Sequence, residues 1–144
     1  GGDVPNLKTI CATFKREVGV SSAGHMLSLG DGGAINYATI LMNNATSPRS
    51  TGSIVGPAQW DMTATSTYTA GQNSKVAFSI ATNDIKWASS GTARTGETSA
   101  TVPTFNRLEV GCAYGGQYQY DGNVGGIYGW TRNLSQSELD AITA

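Results

Sequence analysis

Only one segment of this 144-residue chain carries the marks of a helix, which leaves strands and turns to build the rest. Ser135 stands three residues before Glu138, the spacing of a capping box. In that motif the hydroxyl accepts from a free amide of the first turn and the carboxylate reaches back to the cap. Leu139 and Ile142, with Leu134 just ahead of the cap, fall on one side of the expected helix and would dock on a sheet. Before it, residues 124–130 read as a strand loosened by glycines, entered through the Asp121-Gly122 turn.

The remaining pattern has period two, in short pieces. Ile10, Ala12 and Phe14 share one face of an expected strand over 7–15, with Cys11 and Thr13 on the other. Further strands are expected over 25–29, 36–42, 59–65, 74–81, 84–88 and 107–113, with a weak one at 53–55. Val76, Phe78 and Ile80 alternate most clearly. Trp60, Trp87 and Trp130 all fall in strands, where indole rings are most often core. Residues 92–103 are polar and threonine-rich, and 114–120 read as a loop. Turn signals every eight to twelve residues, without strand–helix alternation, argue for one antiparallel sandwich or barrel spanning 1–144.

Charged residues make up 13% of the chain and the net charge is −1. That is about half the usual charged share and argues against a phosphate-backbone partner, so no nucleic acid is expected. No apolar run reaches the length of a membrane span, so no membrane insertion is expected either. A chain that opens Gly1-Gly2-Asp3 is expected to be a processed product or a fragment of a longer one. Cys11 and Cys112 fit a disulfide and also fit two small buried hydrophobes. The reduced form is the simpler expectation, because a core of this size needs no staple.

Catalysis is hard to assemble from this inventory. Ten carboxylates are scattered along the chain, with no close pair on one strand face for two-carboxylate glycoside chemistry. His25 is the only histidine and follows no nucleophile elbow, so a structural role is expected. The chain is therefore read as non-enzymatic. A sugar site is chemically easier. Aromatic faces receive ring C–H groups, while amides and hydroxyls meet sugar oxygens. Tyr114, Gln117, Tyr118, Gln119 and Tyr120 supply all of these in one short loop, and the same tyrosines would serve core packing or a subunit interface equally well. Asp31 and Asp121, near turns with Asn36 and Asn123, would offer oxygens to calcium if their loops met. The simpler reading of each aspartate is a turn, and no other cofactor is expected.

The C-terminal run Gly126-Ile127-Tyr128-Gly129-Trp130-Thr131-Arg132-Asn133-Leu134-Ser135-Gln136-Ser137-Glu138-Leu139 resembles the ending of laminin G-like, concanavalin A-like lectin/glucanase domains. Asn106-Arg107-Leu108-Glu109-Val110-Gly111 is similar to their penultimate strand, Ser74-Lys75-Val76-Ala77-Phe78-Ser79 to a central one, and Thr9-Ile10-Cys11-Ala12-Thr13-Phe14 to the first. The resemblance implies an all-β, two-sheet antiparallel jelly-roll sandwich with a short C-terminal helix, its last strand near its first. Ala81-Thr82-Asn83-Asp84, then residues 98–104, then Arg107-Leu108, look like versions of this domain in bacteriophage tail and other virion proteins. That implies a structural or appendage protein on the virion exterior, as a homo-oligomer. Its partners would be other virion subunits and a host-surface glycan. The alternative is a secreted or cell-surface bacterial carbohydrate-binding or adhesion module. A glycoside hydrolase stands third, because the enzymes' carboxylate motif is missing.

Overall fold

A computed structural model of the chain describes residues 7–19, 24–31, 36–42, 48–53, 58–63, 68–102, 104–113 and 118–144. Within them lie two antiparallel sheets and one helix. The first sheet has the order β10-β1-β6-β7-β8, from β10 (Gly122–Trp130), β1 (Thr9–Arg16), β6 (Asn73–Ala81), β7 (Asp84–Ser89) and β8 (Thr92–Glu97). The second has the order β5-β4-β3-β2-β9, from β5 (Ala58–Thr63), β4 (Pro48–Ser53), β3 (Tyr37–Met42), β2 (Gly24–Gly30) and β9 (Arg107–Val110). The helix α1 (Gln136–Thr143) packs on the first sheet over β6, β7 and β8. This is the jelly-roll sandwich with a C-terminal helix that the sequence leads one to expect.

Alternation decides which side chains meet between the sheets. Ile10, Ala12 and Phe14 of β1, Val76, Phe78 and Ile80 of β6, and Ile85 and Trp87 of β7 face Leu27, Leu29, Ala38, Ile40, Trp60 and Met62 in one buried cluster. Full burial of each larger side chain contributes about 1.5–3 kcal/mol, so this layer dominates the stability. Trp87 donates its Nε1–H to the Thr95 carbonyl at 2.9 Å, so even its polar edge is satisfied. The hairpins follow from local chemistry. Ser90 (φ +50°) and Gly91 (φ +70°) are the two loop residues between Ser89 and Thr92, which pair across β7 and β8. Two consecutive positive φ values are what a type I′ turn requires.

Two strands depart from expectation. β8 occupies a stretch read as polar loop, and β4 ends at Ser53, the first residue of the weak strand expected at 53–55. Residues 54–57 lie outside the described residues. β8 is an edge strand with most of its residues exposed, so it carries no apolar alternation. β4 has the sequence Pro-Arg-Ser-Thr-Gly-Ser, with no aliphatic or aromatic side chain to mark it. β9 stops at Val110, because Gly111 turns to φ +71°. Both cysteines are free thiols, Cys11 on the first sheet and Cys112 just past β9 on the second.

Candidate functional site

The residues expected to hold sugar do not stay together. Tyr114 and Gln117 lie outside the described residues. Tyr118 and Gln119 are exposed, whereas Tyr120 turns into the core and packs edge-on against Phe14, with ring centroids 6.4 Å apart. A ring buried there offers no face to a ligand. Burial pushes the Tyr120 hydroxyl up to about 12, with nearby Arg16 acting to lower it and Glu17 to raise it. Among the described residues its oxygen has no hydrogen-bond partner.

Tyr118 remains at the surface with φ +52°, and its ring lies over His25 at 5.5 Å. Its carbonyl accepts from the His25 amide at 3.0 Å, which fixes the loop to the start of β2. Beneath it, His25 Nδ1 meets the Thr39 hydroxyl at 2.7 Å, and that hydroxyl donates to the Leu27 carbonyl at 2.8 Å. The single hydroxyl proton is thus spent on Leu27, so His25 must donate from Nδ1, and the ring lone pair lies on Nε2. Burial lowers the His25 pKa to about 4 and keeps the ring neutral near pH 7. This is the structural role expected for the lone histidine.

Asp31 and Asp121 are not brought together. Asp31 follows the last residue of β2 and accepts from the Asn36 amide at 2.9 Å. Asp121 follows Tyr120, whose backbone lies against Gly24 at the other end of β2. A seven-residue strand separates the two by about 20 Å. Among the described residues no cluster of three His, Cys, Asp or Glu side chains forms that would hold a metal ion.

The feature that does resemble a ligand site lies on the outer face of the first sheet. Residues paired across strands share a face, so the register places Tyr128 beside Cys11 and Cys11 beside Ala77, which in turn pairs with Ala88. Cys11, Ala77 and Ala88 are small, and they make a shallow seat for Leu134 and Leu139. Polar ties hold the helix in that seat. Thr9 Oγ1 donates to the Arg132 carbonyl at 2.9 Å and accepts from the Leu134 amide at 3.1 Å. Gln136 Nε2 donates to the Trp87 carbonyl at 3.1 Å. The capping box forms as expected, and the Glu138 carboxylate also accepts from Arg132 at 2.7 Å.

With α1 seated over β6 and β7, the strip beside β10 is left as a groove of about 430 Å3. Tyr128 and Trp130 form one wall, Ala141 and Ile142 the other, and Cys11, Thr13 and Lys75 also line it. Tyr128 is 61% exposed. The outer part of its ring leans back over Gly126, where a Cβ would stand 3.1 Å from Cε2 and from the hydroxyl. Lys75 Nζ donates to the Ala144 carbonyl at 2.6 Å. Burial raises the Cys11 thiol, only partly offset by Lys75, so the thiol stays protonated. No carboxylate lines the groove among the described residues. What the arrangement can do is hold an uncharged or anionic hydroxylated ring against two aromatic side chains. Trp130, a core residue by the strand pattern, lies partly buried on the outer face. The sequence carries a sign of this: Tyr128 and Trp130 are two apart, out of phase with Ile127, which is partly buried and packs against the core.

No protein-family model matches the chain, and neither does any curated protein sequence. Solved structures do match. The carbohydrate-binding module CBM40 of the Ruminococcus gnavus IT-sialidase, bound to α2,6-sialyllactose, aligns with a TM-score of 0.75 at 16% identity, covering 96% of this chain and 84% of that one. The NanB sialidase of Streptococcus pneumoniae aligns at 0.74 and 17% identity over 92% of this chain and 23% of that one. A heptameric SAP-like pentraxin from Limulus polyphemus aligns at 0.70 and 11% identity over 99% of this chain and 73% of that one. None of these is a virion protein, so the expectation of a bacteriophage virion component is corrected. Of the motifs behind it, Thr82 and Asn83 form the turn between β6 and β7, and residues 98–102 follow β8 outside any strand or helix. The chain has the concanavalin A-like jelly-roll fold, resembling bacterial sialidase carbohydrate-binding modules.

Proposed function

We propose that this chain is a non-catalytic carbohydrate-binding module of a secreted or cell-surface system, and that it holds sugar in the groove between β10 and α1. The observation that carries this reading is the exposed Tyr128 ring beside Trp130, over a lining that contains a hydroxyl and an amine but no carboxylate among the described residues. An aromatic platform with nearby donors recognises a pyranose, whereas hydrolysis would need two carboxylates flanking the bond. The fold shared with the sialidase module bound to sialyllactose adds support, and it makes sialylated glycans the first to try. The test is a glycan array followed by calorimetry on the best ligand. Tyr128→Ala is expected to weaken binding by about tenfold or more, the loss of one central aromatic contact. Unchanged affinity in that variant would move the site elsewhere.

A second reading places sugar at Tyr118, whose exposed ring lies over the neutral His25. Tyr118→Ala in the same assay separates the two surfaces, since Tyr118 packs on His25 of the second sheet and the groove lies on the first.

A further inference from the structure

A second pocket, of about 200 Å3, lies where the loop entering β6 meets the β7–β8 hairpin. Tyr68, Gln72, Asn73, Ser90 and Arg94 line it, together with two further hydroxyl residues. Every one of these side chains can donate a hydrogen bond, one is a permanent cation, and none is acidic. The volume holds about seven waters, enough for a small hydroxylated group and too little for an extended chain.

Two of the donors are left in unusual states. Tyr68 is 8% exposed and packs its ring on Phe14 at 5.3 Å, yet its hydroxyl has no hydrogen-bond partner among the described residues. Burial pushes that hydroxyl up, while Ser89, Ser90 and Arg94 lie close enough to pull it down without reaching hydrogen-bonding geometry. A buried donor left unpaired is costly, and a ligand oxygen would relieve it. Arg94 is pinned, its Nε donating to the Ser89 hydroxyl at 2.6 Å and its Nη2 to the Ser89 carbonyl at 3.4 Å. Its Nη1 has no partner among the described residues. The hairpin that carries Ser90 is itself held by the Ser90 amide donating to the Lys75 carbonyl at 3.1 Å. Arg94, the Tyr68 ring and the Ser90 backbone are thus in place before any ligand arrives.

We propose that this corner is a second binding site, distinct from the β10–α1 groove, which takes an oxyanion such as a carboxylate or sulfate, with Arg94 and the Tyr68 hydroxyl as its principal donors. The Gln72 and Asn73 amides and the Ser90 hydroxyl then meet neighbouring oxygens of the same ligand. The site does not depend on the groove reading, because the two share no lining residue.

The test titrates the whole chain with glucuronate, with glucose as its uncharged counterpart, and with sulfate as the ion alone. Amide shifts of Asn73, Ser90 and Arg94 are followed by NMR. The site is supported when glucuronate or sulfate shifts these amides and glucose binds at least about tenfold more weakly, the scale of one charge-assisted contact. Tighter glucuronate marks a sugar acid as the ligand class, and tighter sulfate marks the bare ion. Arg94→Gln removes the charge and should weaken binding by about tenfold. Tyr68→Phe keeps the ring packing, so it should raise Tm by a few degrees without ligand and weaken binding several-fold. Equal binding of glucose and glucuronate, no shifts with any of the three, or unchanged affinity in both variants would overturn the proposal. Tyr128→Ala should leave this binding unchanged, which keeps a failure here separate from a failure of the groove.

Discussion

The Tyr128 ring occupies the space that a side chain at Gly126 would need, with Cε2 and the hydroxyl each 3.1 Å from where a Cβ would stand. The glycine therefore acts on the ring and not only on the strand. Gly126→Ala is expected to tilt the tyrosine away from β10 and weaken glycan binding about fivefold. The change in stability should stay within about 1 kcal/mol, since alanine restricts the unfolded chain more than glycine does. Calorimetry of binding and thermal melts of the same variant check both halves. Equal losses in binding and stability would mean that the strand itself had been damaged.

His25 predicts how stability depends on pH. Its pKa is about 4 in the fold, against 6.5 unfolded, because burial disfavours the charged ring. The unfolded chain therefore binds the extra proton first as pH falls. Stability is full above pH 6.5, declines between 6.5 and about 4, and levels off below. The loss is roughly 3 kcal/mol by linkage. Urea melts from pH 8 to 4 should show this slope, and His25→Gln should flatten it.

Glu138 predicts a second, more acidic window. Hydrogen bonds from Arg132, then from the Ser135 amide and hydroxyl, lower its pKa to about 2. Its contribution is present above the ordinary value of 4.5 and is lost as pH falls toward 2. Ser135→Ala, which removes the hydroxyl half of the capping box, should cost about 1 kcal/mol at pH 7. Circular dichroism at 222 nm with acid titration separates this step from that of His25.

Tyr120 predicts a gain. Its hydroxyl is buried without a partner among the described residues, so Tyr120→Phe should leave stability unchanged or raise it by about 1 kcal/mol. Sugar binding should not change, because the ring faces Phe14 and not solvent. A loss of binding in this variant would return the loop before β10 to the site.

The sequence announces the fold wherever burial is one-sided. Ile10, Ala12 and Phe14 alternate because one face of β1 meets the core and the other meets small neighbours. Ser135 and Glu138 are legible because capping is local. β8 is silent because an edge strand exposed on most of its residues needs no pattern. The groove is only half legible, for a different reason: alternation puts Tyr128 and Trp130 on one face without saying which face is core. Whether Tyr128 is core or surface depends on the strands beside it, and that register is set by Cys11 and Ala77, more than 50 residues away in sequence. Tyr120 misleads by the same rule, since its loop position says nothing of Phe14 beneath it.

The pairing of Thr9 with Trp130 has a consequence for how the chain is made. β1 is synthesised before both of its sheet neighbours, and β6 is the first of them to reach it. Its other edge stays open until β10 emerges, and its outer row stays uncovered until Leu139 arrives. A product cut short before Gly122 would keep an unpaired strand edge beside a bare apolar strip, a template for pairing between chains. Synthesis of β10 and α1 thus closes the edge and covers the strip through which unfinished domains would pair.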